Sequence, residues 1–135
     1  PCDPLYASWG SSTHDLLKKI KQSGARSIEI DSSVVNGDMV TGVSCKDDLY
    51  RYLFVFRQDR GLVITTVYTS YERALDASTA FRIAKSKASV NYEGKTSETP
   101  STCTFHKACS KLKSTLIMKI VNDDQIVYTY SAEPI

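Results

Sequence analysis

The sequence predicts an α+β fold: a two-layer domain with a mostly antiparallel sheet of about six strands and two main helices packed on it. Three observations predict it. Alternating or β-branched apolar runs come in pairs joined by short turn signals, which gives antiparallel neighbours. Two other segments place apolar residues at helical spacing. No apolar run approaches the roughly 18–20 residues of a membrane span, and 135 residues fit a single domain, 1–135.

The first helix is read from Thr13 to Ser23. Ser12 and Asp15 have the spacing of a capping box, and Leu16, Leu17 and Ile20 make the apolar stripe. Lys18, Lys19 and Lys21 follow toward the end where the dipole favours cations. Gly24 is placed to stop the helix in the left-handed region. Asn36-Gly37 then signals a two-residue hairpin turn. With that turn Val35 faces Asp38 and Val34 faces Met39. Side chains alternate, so Ile28, Ile30, Val34, Met39, Val43 and Cys45 share one face and Glu29 and Asp31 take the other. Cys45 should therefore point into the core.

A second hairpin joins Tyr50–Phe56 to Leu62–Tyr68 through Arg57-Gln58-Asp59-Arg60-Gly61. Leu53 and Val55 make its second face apolar as well, so these strands are expected to be central and covered on both sides. Thr69 and Glu72 suggest a capping box for a second helix running to about Ala88, with Ala74, Ala77, Phe81, Ala84 and Ala88 toward the sheet. Residues 89–104, with Gly94, Pro100 and many Ser and Thr, read as a loop. The last hairpin turns at Asn122–Gln125 and sets Leu116, Met118 and Ile120 against Ile126, Tyr128 and Tyr130. No internal repeat is visible.

Four cysteines, Cys2, Cys45, Cys103 and Cys109, suggest a disulfide framework and an oxidising compartment, hence a secreted or periplasmic protein. Pro1–Gly10 has no charged or apolar region of a signal peptide, as a processed chain would also lack. No N-x-Ser/Thr sequon occurs, which disfavours a heavily glycosylated ectodomain. In Cys103-Thr104-Phe105-His106-Lys107-Ala108-Cys109, the positions of Phe105, Ala108, Cys109 and Leu112 fit a turn of helix. That would hold Cys103 and Cys109 about 9 Å apart along the axis, too far for a mutual bridge. Cys2 and Cys45 are then expected each to bridge into the 103–109 segment, with a local Cys103–Cys109 bridge as the alternative.

The same heptapeptide fits other chemistry poorly. Zinc ligands come in close pairs such as C-x2-C, whereas here the spacing is C-x5-C with Cys2 and Cys45 far apart. A cysteine nucleophile needs a base and an orienting group, and only His106 is near Cys109 in sequence. No phosphate loop, G-x-S-x-G, H-E-x-x-H or nucleotide fingerprint occurs. No catalytic, cofactor-binding or metal residue is assigned. Asn91-Tyr92-Glu93-Gly94 resembles a short piece of the guanyl-specific fungal ribonucleases, but over four residues only and without their set of histidine, glutamate and arginine on successive strands.

The reading that follows is a small exported, disulfide-stabilised protein that acts by binding a protein target without catalysis, of the effector, immunity-protein or inhibitor type, with virulence as one setting. Tyr92, Lys95, His106 and Lys107 are its candidate binding surface, since tyrosine beside cations suits interfaces. The alternative is a secreted ribonuclease or RNA-binding protein. It would use His14 and His106 with a basic segment, residues 82–113 carrying seven Lys or Arg against two acids. A small-molecule carrier is a third reading, from the sheet and helix alone.

Overall fold

The structure, a computed structural model, describes residues 8–134. Its elements are α1 (Thr13–Gln22), β1 (Arg26–Val35), β2 (Asp38–Lys46), β3 (Arg51–Arg57), β4 (Gly61–Ser70), α2 (Ala74–Asn91), β5 (Gly94–Thr99), β6 (Thr102–Cys109), β7 (Leu112–Val121) and β8 (Gln125–Pro134). The eight strands form one sheet in the order β1-β2-β3-β4-β8-β7-β6-β5, antiparallel throughout. The expected sheet of about six strands is therefore corrected: one large eight-stranded sheet dominates the molecule.

The two additional strands are β5, in the stretch read as a loop, and β6, which begins at its end. Thr99 pairs with Thr102 across Pro100-Ser101, and Cys103, Thr104 and Phe105 pair onward with β7. The composition misleads because β5 is an edge strand exposed along nearly its whole length. Such a strand needs backbone pairing and no apolar side chains. The expected helical turn at 103–109 is likewise a strand. Cys103 and Phe105 point in while Thr104 and His106 are less covered, a period of two.

Element order repeats. One helix and a four-stranded meander are followed by a second helix and a second meander, and the last strands of each, β4 and β8, pair at the centre. β2 opens at Asp38 and β6 at Thr102; β4 opens at Gly61 and β8 at Gln125; β4 ends at Ser70 and β8 at Pro134, each a step of 64 residues. The repeat is one of topology, which sequence identity does not reveal.

Several local expectations hold. Ser12 Oγ accepts from the Asp15 N–H at 3.2 Å, and Gly24 sits at φ +82°. Val34 pairs with Met39, and Val35 with Asp38, across Asn36 and Gly37 at φ 51° and 84°, the positive values a two-residue hairpin turn requires. Leu116, Met118 and Ile120 face Tyr130, Tyr128 and Ile126. The second helix does not start at Thr69. β4 runs on to Ser70 by pairing with Gln125, and Arg73 is the N-cap, without a side-chain cap bond.

Two apolar clusters lie on one face of the sheet. Leu16 and Ile20 of α1 close over Val43, Cys45, Tyr52, Phe54 and Phe56. Phe81 and Ala88 of α2 close over Cys103, Phe105, Leu116 and Met118. Tyr128 and Tyr130 of β8 border both.

The expected bridges of Cys45 and Cys103 are overturned. Cys45 and Cys103 are free, buried thiols, one in each cluster. Five strand spacings separate β2 from β6, about 24 Å at about 4.8 Å each, where a disulfide spans at most about 7 Å between Cα atoms. Neither Cys45 bridging into 103–109 nor a Cys103–Cys109 bridge is formed. The part resting on Cys2 lies outside the described residues. With Cys45 and Cys103 unbridged, nothing supports the secreted, effector, immunity-protein, inhibitor or virulence assignments. No described helix is long and apolar enough to cross a membrane.

Candidate functional site

Among the described residues, the face of the sheet opposite the helices is open. Register places Val35, Val40, Leu53, Val55, Ile64, Thr66, Ile117, Val127 and Thr129 on it. Leu53, Val55, Ile64 and Val127 are half-buried, and Ile117 is 38% exposed. The expectation that β3 and β4 are covered on both sides is thus corrected: among the described residues no helix lies against this face. Its apolar residues shield one another through β-branched and threonine neighbours on adjacent strands, which is how Thr66 reaches 8% exposure at the sheet centre.

At the β1–β3 end this face hollows into a groove of about 380 Å³. Gly42 makes its floor. An added Cβ there would stand 3.6 Å from Leu53 Cδ1 and 3.9 Å from the Asp31 carbonyl oxygen, so the missing side chain leaves the hollow between them. Leu53, Val55 and Val40 form the apolar wall, while Glu29 and Asp31 of β1 form an acidic rim. Neither carboxylate is in a salt bridge with a described residue. The arrangement suits a long cationic side chain, whose methylenes would lie along Leu53 and Val55 while its head meets the carboxylates.

A larger hollow, about 600 Å³, lies at the N-terminal end of α1. Its two arginines are engaged: Arg57 donates to Asp38 Oδ2 at 2.7 Å, and Arg60 to the Ala132 carbonyl at 3.1 Å. Beside β2, Asp47 accepts from the Leu49 and Tyr50 N–H groups and from the Tyr52 hydroxyl. Burial raises its pKa, but those bonds and the Arg26 charge outweigh it and hold the carboxyl below its usual value. This is a loop fastening, since Asp47 pins the β2–β3 connection.

The residues selected from sequence do not form one surface. Tyr92 caps α2 and is part of a core, its ring 6.1 Å from that of Phe105. Burial, with the neighbouring Tyr130, pushes its phenol up to about 12, against a hydrogen bond with Ser114. Lys95 bonds Glu98 at 3.0 Å on the β5 edge. Lys107 pairs with Ser114 and shares the helix-side parity of Phe105, whereas His106 points to the open face. The His106 ring lies over Gly94, where a Cβ would come 3.0 Å from Cε1, and its Nδ1 is buried without a partner. His14, on α1, lies on the other side of the sheet from His106, so the two do not converge on one phosphate. Burial raises the thiol pKa of both Cys45 and Cys103, with Asp47 and Glu98 respectively adding to it. No group of three or more His, Cys, Asp or Glu among the described residues is placed to hold a metal.

No family model, curated protein or solved structure matches this chain. Its chemistry is therefore read from the geometry alone. Sequence reasoning put Glu29 and Asp31 together on one face but passed over Gly42, whose signal was present: a glycine inside a strand marks a close approach or a missing wall.

Proposed function

We propose that this chain is a non-catalytic protein-binding domain that holds a partner on the open sheet face and takes a lysine or arginine side chain of that partner into the groove over Gly42. The observation that carries the proposal is the groove itself, an apolar wall from Leu53 and Val55 beneath the unpaired carboxylates of Glu29 and Asp31. A broad half-apolar surface around it supplies contact area, and the carboxylates supply orientation. Partner specificity then comes from where the cation stands relative to apolar neighbours.

Gly42→Val is the direct test. Its Cβ meets only ordinary van der Waals contacts and the backbone needs no positive φ, so a β-branched side chain suits the strand while its γ-carbons fill the groove. Peptides selected for binding to the purified chain should carry Lys or Arg. Replacing that residue by citrulline or norleucine should weaken binding about tenfold or more, a loss of the size expected for a charge-assisted bond. Gly42→Val and the pair Glu29→Gln with Asp31→Asn should do the same, and His106→Ala should not. Selected peptides without a cation, or binding indifferent to Gly42→Val, would refute the groove. Turnover of RNA by the chain would refute the non-catalytic reading.

A further inference from the structure

The two edges of the sheet differ in a way that points to a partner. β5 is six residues long, has a register shift between Lys95 and Ser97, and carries the Lys95–Glu98–Lys85 ion pairs. Short length, a bulge and charge are the usual protections against another strand adding on. β1 has ten residues, and its irregularity is confined to Arg26–Glu29, where Ser27 sits at φ 55°. From Glu29 to Val35 it pairs regularly with β2, with no proline, lysine or bulge.

Register fixes which backbone groups of β1 are unused. In a hairpin with a two-residue turn, the pair next to the turn, Val35 with Asp38, exchanges hydrogen bonds, and bonded and non-bonded pairs then alternate. Val34, Ser32 and Ile30 are thus the non-bonded positions, and their N–H and C=O groups point away from β2. The Ser32 Oγ contact with Thr41 Oγ1 at 3.0 Å agrees, since side chains approach most closely at non-bonded pairs. Ile30 and Val34 also carry exposed side chains, at 55% and 67%, beside Met39 at 41%, all on the helix-side face beyond the reach of α1.

We infer that β1 pairs antiparallel with β1 of a second copy, about a two-fold axis through Ser32, joining two sheets into one. The strand is self-complementary in that register. Ser32 opposes Ser32, and Ile30 opposes Val34 twice, so three opposed pairs of outward residues exchange about six backbone hydrogen bonds. Asp31 opposes Ser33 and Glu29 opposes Val35, so no like charges stand directly opposite. On the helix side Ile30, Val34 and Met39 of both copies merge into one apolar patch, the aliphatic contact that a bare edge lacks. A shift of one residue would set the outward groups of one strand against inward-bonded groups of the other; a shift of two would either oppose Asp31 to Asp31 or leave Ile30 without Val34, so the register is specific.

Sedimentation and light scattering across micromolar to submillimolar concentration should show the mass rising from 15.0 kDa to twice that value. Ser32→Pro should hold the chain monomeric over that range, weakening association at least about tenfold, because proline is tolerated where the N–H faces away from the sheet and blocks addition there. Ser32→Cys should form a covalent dimer on mild oxidation, located by peptide mapping, since opposed bonded residues stand about 5.5 Å apart at Cα. Ser33→Cys should not. A chain monomeric throughout, a dimer indifferent to Ser32→Pro, or a Ser32→Cys chain that does not cross-link would overturn the inference. A monomer whose capture of a cationic peptide is lost in Ser32→Pro would assign the edge to a foreign strand and overturn it too. The inference is independent of the groove, which Gly42→Val tests without altering the outward backbone groups of Ile30, Ser32 and Val34.

Discussion

α1 reaches the sheet with Leu16 and Ile20 over ten residues, whereas α2 spends eighteen residues and buries Ala77, Phe81 and Ala88. The two halves share a plan and solve it differently. Large aliphatic side chains let a short helix seal a cluster, but a short helix leaves the distal end of the β1–β2 hairpin bare, with Ile30, Val34 and Met39 exposed. Small alanines let a long helix run close above β6, β7 and β8. The difference shows that coverage follows helix length while sealing follows side-chain size. The half with the shorter helix carries the unprotected edge and the groove.

The comparison is most sharply tested in the two cores. Phe54 is fully buried in the first cluster and Phe105 is 2% exposed in the second. Phe54→Ala and Phe105→Ala should each cost about 3–5 kcal/mol. Both should shift one cooperative transition in thermal or urea unfolding, because Tyr128 and Tyr130 belong to both clusters. Two separate transitions in either variant would show that the halves fold independently and break the comparison.

Alkaline pH should separate the halves next. Tyr92, Tyr128 and Tyr130 all lie in the second half and all have raised pKa values, from burial first and then from neighbouring phenols. A phenol whose folded pKa exceeds its unfolded value binds its proton more tightly when folded. Its stabilisation is therefore complete below the unfolded value near 10 and is lost as pH rises toward the folded value, about 12 for Tyr92. Stability followed by urea titration should fall across that window, and Tyr92→Phe should flatten the fall. Phenolate absorbance rising with an ordinary midpoint in the native state would remove Tyr92 from the core. The thiols do not discriminate, since Cys45 and Cys103 are raised in both halves.

The smallest contrast is at the caps. Ser12→Ala removes the bond to Asp15 N–H and should cost about 1 kcal/mol. Arg73 sits at an extended N-cap position, φ −126° and ψ 141°, with no side-chain cap bond. Arg73→Ser should therefore raise the melting temperature, since the exposed Arg73–Asp76 pair it removes contributes little. A drop with Arg73→Ser would show that pair to matter more than the missing cap.

Where the chain announces a turn with its own chemistry, the fold was legible. Asn36-Gly37 dictated the register from Val35–Asp38 outward, and Asn122–Gln125 that of the last hairpin. Thr96, Ser97 and Thr99 announce nothing, because an edge strand is held by its neighbour's backbone and exposes its side chains whatever they are. Phe105, Ala108, Cys109 and Leu112 fit a helical stripe by position, yet the Cys103/Phe105 alternation, also present, prevailed once β7 offered a ladder. The repeat escaped notice because cores accept different apolar residues of suitable volume: Phe54 and Met118, 64 positions apart, fill the two clusters. Of the candidate site, the carboxylates were readable from strand parity. The groove was not, because it depends on three strands lying side by side.

The pairing of β4 with β8 also has a consequence in time. Every other neighbouring pair in the sheet is a hairpin between strands adjacent in sequence, while β4–β8 joins Ser70 to Gln125 and Ile64 to Ser131, 55 and 67 residues apart. Local ladders close quickly and distant ones slowly. Each meander therefore zips before the centre does, and the seam between them is the last closure. Until then the chain carries two additional open edges, β4 and β8, so crowding and chain concentration during folding bear most heavily on the strands that end up best protected.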